Sequence, residues 1–138
     1  MSTWRLVIGI VLILHGLGHA LGVLALTSLG NDNWNGRSWL LTDAIGDRPT
    51  KVIAVVLWML GLVIFVVAGF ALLEIGFSES LWKPLAVSGA VLSLVALTLF
   101  WNAFPALFPN KIGSIAVNAV LLVGILFADW PTEEMLSN

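Results

Sequence analysis

The charged side chains of this 138-residue chain lie only at the edges of its long apolar runs and in the segments between them. Only 10% of its residues are charged and 59% are hydrophobic, whereas a soluble domain carries about 25% charged residues. A surface of this composition cannot face water throughout, so most of it must face lipid. The absence of cysteine excludes disulfides and thiolate metal sites. The net charge of −2 gives no reason to expect nucleic acid as a partner.

Four apolar runs approach the roughly 20 residues that a helix needs to cross a bilayer. They cover residues 6–26, 52–73, 81–101 and 112–128. Helices are favoured over strands because lipid cannot pair with backbone polar groups, and each run is far longer than a barrel strand. The predicted fold is therefore all-α: a four-helix transmembrane bundle that forms a single integral membrane domain over residues 1–138.

The first run is expected to stay in the membrane as a span. It exceeds the roughly 7–15 apolar residues of a signal peptide, and Ala25-Leu26-Thr27 is a poor cleavage site. The first and third loops carry four Lys or Arg residues and the opposite side carries two. The positive-inside rule then predicts a multi-pass cell-membrane protein with both termini outside.

Residues 27–50 form the longest polar segment. Ser38 to Ile45 is predicted to be a short amphipathic connector helix, capped by Ser38, with its apolar side chains at the acyl boundary. This segment is either a solvated connector that rests on the membrane or a gate over a substrate site.

Two histidines lie near the middle of the first run, His15 and His19. Residues four apart in a helix differ by about 40° in direction, so both rings share one face. Gly18 and Gly22 lie on the same arc, and small residues allow a neighbouring helix to approach closely. The face is therefore predicted to point into the bundle or at a second subunit.

Few other polar groups lie at similar depth. Asn118 is in the fourth run and Ser93 is in the third. Because a buried polar group without a partner costs roughly 1–3 kcal/mol, either histidine should pair with Asn118, Ser93 or a backbone carbonyl. The candidate ligand-binding residues are His15, His19, Asn118, Ser93, Gly18 and Gly22.

Three interpretations of the two histidines remain open. They can be hydrogen-bonding links between spans, or they can chelate a metal ion, although most stable sites have three or four ligands and the chain has no third histidine. They can also line a pocket for a lipophilic molecule such as a quinone, an isoprenoid or haem. One haem cannot take both residues as axial ligands from a single helix, so haem would require a second chain.

The segment Arg5-Leu6-Val7-Ile8-Gly9, followed by Leu14-His15-Gly16-Leu17, resembles the opening helix of DoxX-like small membrane proteins. Residues 15–19, 38–42 and 100–102 are also similar to small four-span bacterial membrane proteins. The resemblance implies a four-helix bundle and, for some members, quinone-linked redox or accessory roles. The absence of cysteine excludes a thiol-dependent version here.

These observations predict a non-enzymatic accessory or ligand-binding subunit. Its polar centre, His15, His19 and Asn118, would bind a lipophilic molecule such as a quinone. The alternatives are a DoxX-like redox enzyme in which His15 or His19 relays a proton, a metal- or haem-binding membrane protein, and a transporter. The expected partners are the lipid bilayer, a lipophilic small molecule, and a second copy or another subunit of a membrane complex.

Overall fold

The computed structural model describes residues 1–26, 36–103 and 110–137. These residues are mostly helical and contain no strand. Residues 27–35 of the predicted loop lie outside the described residues. The α-helices are α1 (Thr3–Ala25), α2 (Leu41–Ile45), α3 (Asp47–Leu72), α4 (Trp82–Leu99), α5 (Ile112–Phe127) and α6 (Glu133–Ser137), and 3-10 turns cover Glu79–Leu81 and Trp101–Ala103.

Each of the four predicted runs overlaps one of the longer helices over most of its length. Three helical segments, which correspond to α1, α3 and α4, are long and apolar enough to cross a membrane, so the chain is a multi-pass membrane protein. The fourth, α5, has 16 residues. At 1.5 Å per residue it is about 24 Å long, which is shorter than the roughly 30 Å of a hydrocarbon core.

The helix α3 begins at Asp47, whereas the apolar run was predicted to start at residue 52. The difference arises because the start of a helix is set by residues with particular backbone conformations, whereas the start of an apolar run is set by side-chain hydropathy. Gly46 precedes the helix with a φ of +88°, a conformation that suits glycine. Pro49 lies in the first turn, where its missing N–H leaves no hydrogen bond unmade.

The bundle is an open series of contacts in which α1 packs on α3, α3 on α4, and α4 on α5. The α1–α3 contact is close: a Cβ built on Gly69 would lie 2.8 Å from the carbonyl oxygen of Gly9. Small residues at both positions permit this approach. By contrast, α1 and α5 pack little on each other. The bundle therefore has a less tightly packed side between α1 and α5.

The connector docks on the end of α4. The hydroxyl of Ser38 donates to the carbonyl of Leu99 at 2.7 Å and accepts from the backbone N–H of Leu41 at 3.1 Å. The indole of Trp39 donates to the carbonyl of Thr98 at 2.7 Å. These bonds satisfy carbonyls that the end of α4 leaves without helical partners. The predicted connector helix is present but covers only Leu41–Ile45, and its N-cap residue is Leu40 rather than the predicted Ser38. The Ser38 hydroxyl instead accepts from the N–H groups of Leu40 and Leu41 in the turn before the helix.

Arg5 ties together the other end of the bundle. Its side chain is 13% exposed and pairs with the carboxylates of Glu74 and Glu79. It also donates to the carbonyls of Leu72 at 3.3 Å and Leu136 at 3.2 Å. The sequence indicated Arg5 only as a residue at the edge of a span, whereas the structure places it where the ends of α3 and α6 meet α1.

Candidate functional site

Two apolar clusters form the core, and the histidines lie between them. One cluster contains Leu12 and Phe65, and the other contains Trp58 and Phe100. The His15 ring contacts the Phe65 ring at a centroid distance of 4.6 Å, and the His19 ring lies 5.8 Å from the Trp58 ring. The polar groups therefore occupy a layer between the two halves of the core.

The rings of His15 and His19 are 5.1 Å apart on one face of α1. His19 is 6% exposed, and His15 is half-buried at the edge of the same face. The prediction that this face points into the bundle is confirmed for His19. His15 lies where the protein interior meets the less packed side of the bundle.

Hydrogen bonds join four side chains into a closed circuit, hereafter the histidine network: His15, His19, Ser93 and Asn118. The Nε2 of His15 is 3.0 Å from the Oδ1 of Asn118, whose Nδ2 donates to the Oγ of Ser93 at 2.9 Å. That Oγ is 3.0 Å from the Nε2 of His19, and the Nδ1 of His19 is 2.9 Å from the carbonyl oxygen of His15. The predicted hydrogen-bond partners of the histidines are thus all present, and they join α1, α4 and α5.

The ring of His19 fits because Gly61 of α3 has no side chain. A Cβ at this position would lie 2.5 Å from the Cδ2 and 3.0 Å from the Nε2 of His19. Sequence reasoning missed Gly61 as part of the site. The available signal was a glycine inside an apolar helical run, where glycine costs about 1 kcal/mol relative to alanine and therefore indicates a packing reason.

A cleft of about 300 Å³ lies beside the histidine network, between α1 and α5. Its walls include apolar side chains of all four long helices: Leu14, Leu21, Trp58, Leu97 and Val117. Leu14 and Leu21 are 62% and 61% exposed, so the cleft opens on the outer face of the bundle. His15 and His19 supply the polar part of the wall, together with Ser114 and Asn110.

Gly18 and Gly22, predicted to form one groove, have separate roles. A Cβ on Gly22 would lie 2.9 Å from the Trp58 ring, so Gly22 packs on α3. A Cβ on Gly18 would meet no atom of the described residues within 4 Å. Gly18 therefore leaves free space in the cleft instead of a contact surface for a neighbouring helix.

The described residues do not bring together the ligands of a typical metal site. Among the described residues no group of three or more His, Cys, Asp or Glu could hold a metal. Both ring nitrogens of His19 are in hydrogen bonds, and the Nε2 of His15 is paired with Asn118. Chelation by both histidines would have to break the network, so the prediction of a metal ion held by the two rings has no geometric support in this part of the chain. The haem prediction, which requires a second chain, stays untested.

No family model matches the chain, and neither does any curated protein or solved structure.

Proposed function

We propose that this chain is a four-helix transmembrane bundle that binds a lipophilic, quinone-like small molecule in the cleft between α1 and α5. In this proposal it acts as an accessory or ligand-binding subunit, as the DoxX-like resemblance of α1 implies for some relatives. The observation that supports it is the cleft itself: apolar walls, a mouth on the outer face of the bundle, and His15 at its polar end.

The dimensions and lining of the cleft suit such a ligand. Small-molecule pockets have volumes of roughly 300–1,000 Å³ and are mostly apolar with a few placed polar groups. A volume of about 300 Å³ holds one head group rather than a whole long-chain lipid. The tail would leave between Leu14 and Leu21 into the surrounding acyl chains, so the ligand would enter sideways from the bilayer.

The fourth helix completes the proposed bundle. Although α5 is short, a span shorter than the hydrocarbon core is accommodated by local thinning of the bilayer or by its flanking residues. Lys111 precedes α5 and its ammonium lies 4.7 Å from the centroid of the Trp101 ring, a pairing typical of a membrane interface. The positive-inside rule then puts the first and third loops in the cytoplasm.

Filling the cleft tests the proposal. Gly18→Phe adds a ring where a Cβ meets no neighbouring atom, whereas Leu17→Phe adds the same ring on a residue that is 50% exposed and does not line the cleft. Each purified protein is extracted for mass spectrometry of co-purifying lipophiles and titrated with a decyl-benzoquinone in lipid nanodiscs. We expect the wild type and Leu17→Phe to bind alike and Gly18→Phe to bind at least tenfold more weakly.

Equal binding by all three proteins would contradict the proposal, because it would mean that the quinone only partitions into the bilayer. Equal inventories of co-purified lipophiles in the wild type and Gly18→Phe would contradict it as well. Circular dichroism and elution volume check that both variants keep the helical fold.

In the redox-enzyme alternative, the hydrogen bonds of the site limit which histidine can receive a proton. Both ring nitrogens of His19 are paired, so a proton from a bound quinol would have to go to His15. Wild-type protein that oxidises a quinol in the presence of an electron acceptor, with loss of turnover in His15→Phe, would favour this alternative over simple binding.

A further inference from the structure

One hydrogen bond in the histidine network determines which atom donates the proton in each of the others. The Nδ1 of His19 is 2.9 Å from the carbonyl oxygen of His15, and a carbonyl can only accept. The ring of His19 must therefore carry its proton on Nδ1. In the neutral ring Nε2 is then an acceptor, so the hydroxyl of Ser93 must donate to it across 3.0 Å.

The hydroxyl of Ser93 has a single proton, and this proton determines the orientation of the Asn118 amide. Since the proton points at His19, the Oγ of Ser93 can only accept from Asn118, which must present its Nδ2 at 2.9 Å. The Oδ1 of Asn118 then faces the Nε2 of His15 at 3.0 Å. His15 must carry its proton on Nε2 to make that bond, and its Nδ1 is left without one.

The other proton arrangements either leave groups unpaired or place a charge on the buried ring of His19. If His19 were doubly protonated, both it and Asn118 would donate to Ser93, and the hydroxyl proton of Ser93 would have no acceptor among the described residues. While Ser93 donates to His19, a flipped Asn118 amide would place two oxygens against each other. A flipped amide together with a doubly protonated His19 would pair every group, but it would put a positive charge on a ring that is only 6% exposed. With both rings neutral, the arrangement with opposite tautomers, Nδ1–H on His19 and Nε2–H on His15, is the one that satisfies every group of the network.

The bare Nδ1 of His15 belongs to a ring that lines the cleft. Within the described ranges, every fully buried side-chain nitrogen or oxygen has a hydrogen-bond partner. The Nδ1 of His15 has no partner among those residues, so it lies at the accessible surface of His15, which lines the cleft. The hydroxyl of Ser114 and the amide of Asn110 also line it, but each can donate or accept and so does not discriminate.

We propose that the cleft selects lipophiles whose head group donates a hydrogen bond, namely quinols and other phenols, over the corresponding ketones and ethers. The proposal rests on the proposed lipophile-binding function and specifies its ligand class: a quinone still binds through the apolar walls, and its reduced quinol binds more tightly. A phenolic O–H supplies the donor that His15 Nδ1 lacks. A carbonyl or ether oxygen at the same place would face the lone pair of His15 Nδ1. That nitrogen would then stay without a hydrogen bond in an apolar cleft.

A pair of redox-inert probes tests this proposal. 4-Nonylphenol and 4-nonylanisole have the same tail and ring, and they differ only in that the oxygen carries a hydrogen in the phenol and a methyl group in the anisole. Both are titrated into wild-type protein in nanodiscs, with the rise in unfolding temperature and tryptophan fluorescence as readouts. We expect the phenol to bind roughly two- to tenfold more tightly than the anisole, the effect of one hydrogen bond.

Two variants assign the preference to its residue. His15→Phe keeps a ring in place but removes Nδ1, so the phenol and the anisole should bind equally while the anisole keeps its wild-type affinity. Ser114→Ala removes a polar group of the same cleft and should leave the preference unchanged. A preference that survives in His15→Phe, or that disappears in Ser114→Ala, would overturn the assignment.

The wild-type comparison does not depend on the folding of either variant. Equal binding of both probes to the wild type, with both lost in Gly18→Phe, would refute the selectivity and leave the lipophile-binding function intact. Binding of neither probe, or binding that Gly18→Phe does not change, would instead refute the lipophile-binding function.

Discussion

Ser93 is the residue at which the histidine network is most easily broken without changing the core. Its Oγ is the partner of His19 Nε2 at 3.0 Å and of Asn118 Nδ2 at 2.9 Å, and Ser93 is 1% exposed. Ser93→Ala removes one oxygen atom and two hydrogen bonds. The amide of Asn118 keeps a long contact with Ser114 at 3.4 Å, whereas Nε2 of His19 keeps no partner among the described residues.

The expected loss of stability follows from these two bonds. Side-chain hydrogen bonds inside membrane proteins average about 0.6 kcal/mol, and an unsatisfied buried group costs about 1–3 kcal/mol on the scale of soluble proteins. Ser93→Ala should therefore lower the free energy of unfolding by about 1–4 kcal/mol. The measurement is reversible unfolding in mixed micelles with increasing SDS, followed by circular dichroism.

Ser88→Ala is the matched control, since Ser88 lies on the same helix and is exposed. We expect its stability to stay within about 0.5 kcal/mol of the wild type, as for surface substitutions generally. If Ser93→Ala and Ser88→Ala unfolded at the same SDS fraction, the hydrogen bonds of the network would contribute nothing measurable and the reasoning from satisfied polar groups would fail.

Two further predictions concern the same layer of the bundle. Gly61→Ala should destabilise the protein by about 1–3 kcal/mol because its Cβ would lie 2.5 Å from His19. Gly18→Ala should stabilise it by up to about 1 kcal/mol, since its Cβ would meet no atom of the described residues within 4 Å. The two variants must therefore shift the unfolding free energy in opposite directions in the same SDS titration. The ¹⁵N shifts of the imidazole nitrogens should reveal opposite tautomers, with the proton on Nε2 of His15 and on Nδ1 of His19, and a spectrum with one tautomer for both rings would contradict the derived order of hydrogen bonds.

The elements of the fold that could be predicted are those that depend on a single helix. Long apolar runs indicate helices, and the spacing of His15 and His19 indicates a shared face whatever the neighbours are. The scarcity of polar groups at that depth also identified Asn118 and Ser93 as partners, because so few alternatives exist in the apolar runs. Helix starts were predicted less well. The start of α3 at Asp47 is set by the backbone conformations of Gly46 and Pro49, whereas the prediction used hydropathy.

The elements that could not be predicted depend on how helices cross. Gly18 and Gly22 are equivalent in the sequence pattern, yet one faces open space and the other faces Trp58. Which glycine contacts a neighbour is set by the position and rotation of α3 against α1, and this information is not present in either helix alone. The contacts of Trp39 with Thr98 and of Arg5 with the end of α3 are long-range for the same reason.

The structural and ligand-binding interpretations of the histidines are compatible. The bond between His15 and Asn118 joins α1 to α5, the two long helices that otherwise pack little on each other. The same bond orients the ring of His15 beside the cleft. A ligand that fits the cleft with His15 in this orientation binds the folded protein and not the unfolded chain. Its binding must therefore raise the free energy of unfolding by mass action. A phenol that binds in the cleft should therefore raise the unfolding temperature of the wild type more than that of Asn118→Leu, in which the ring of His15 loses the group that orients it. An equal rise in both proteins would mean that the bond joins the helices without preparing the cleft.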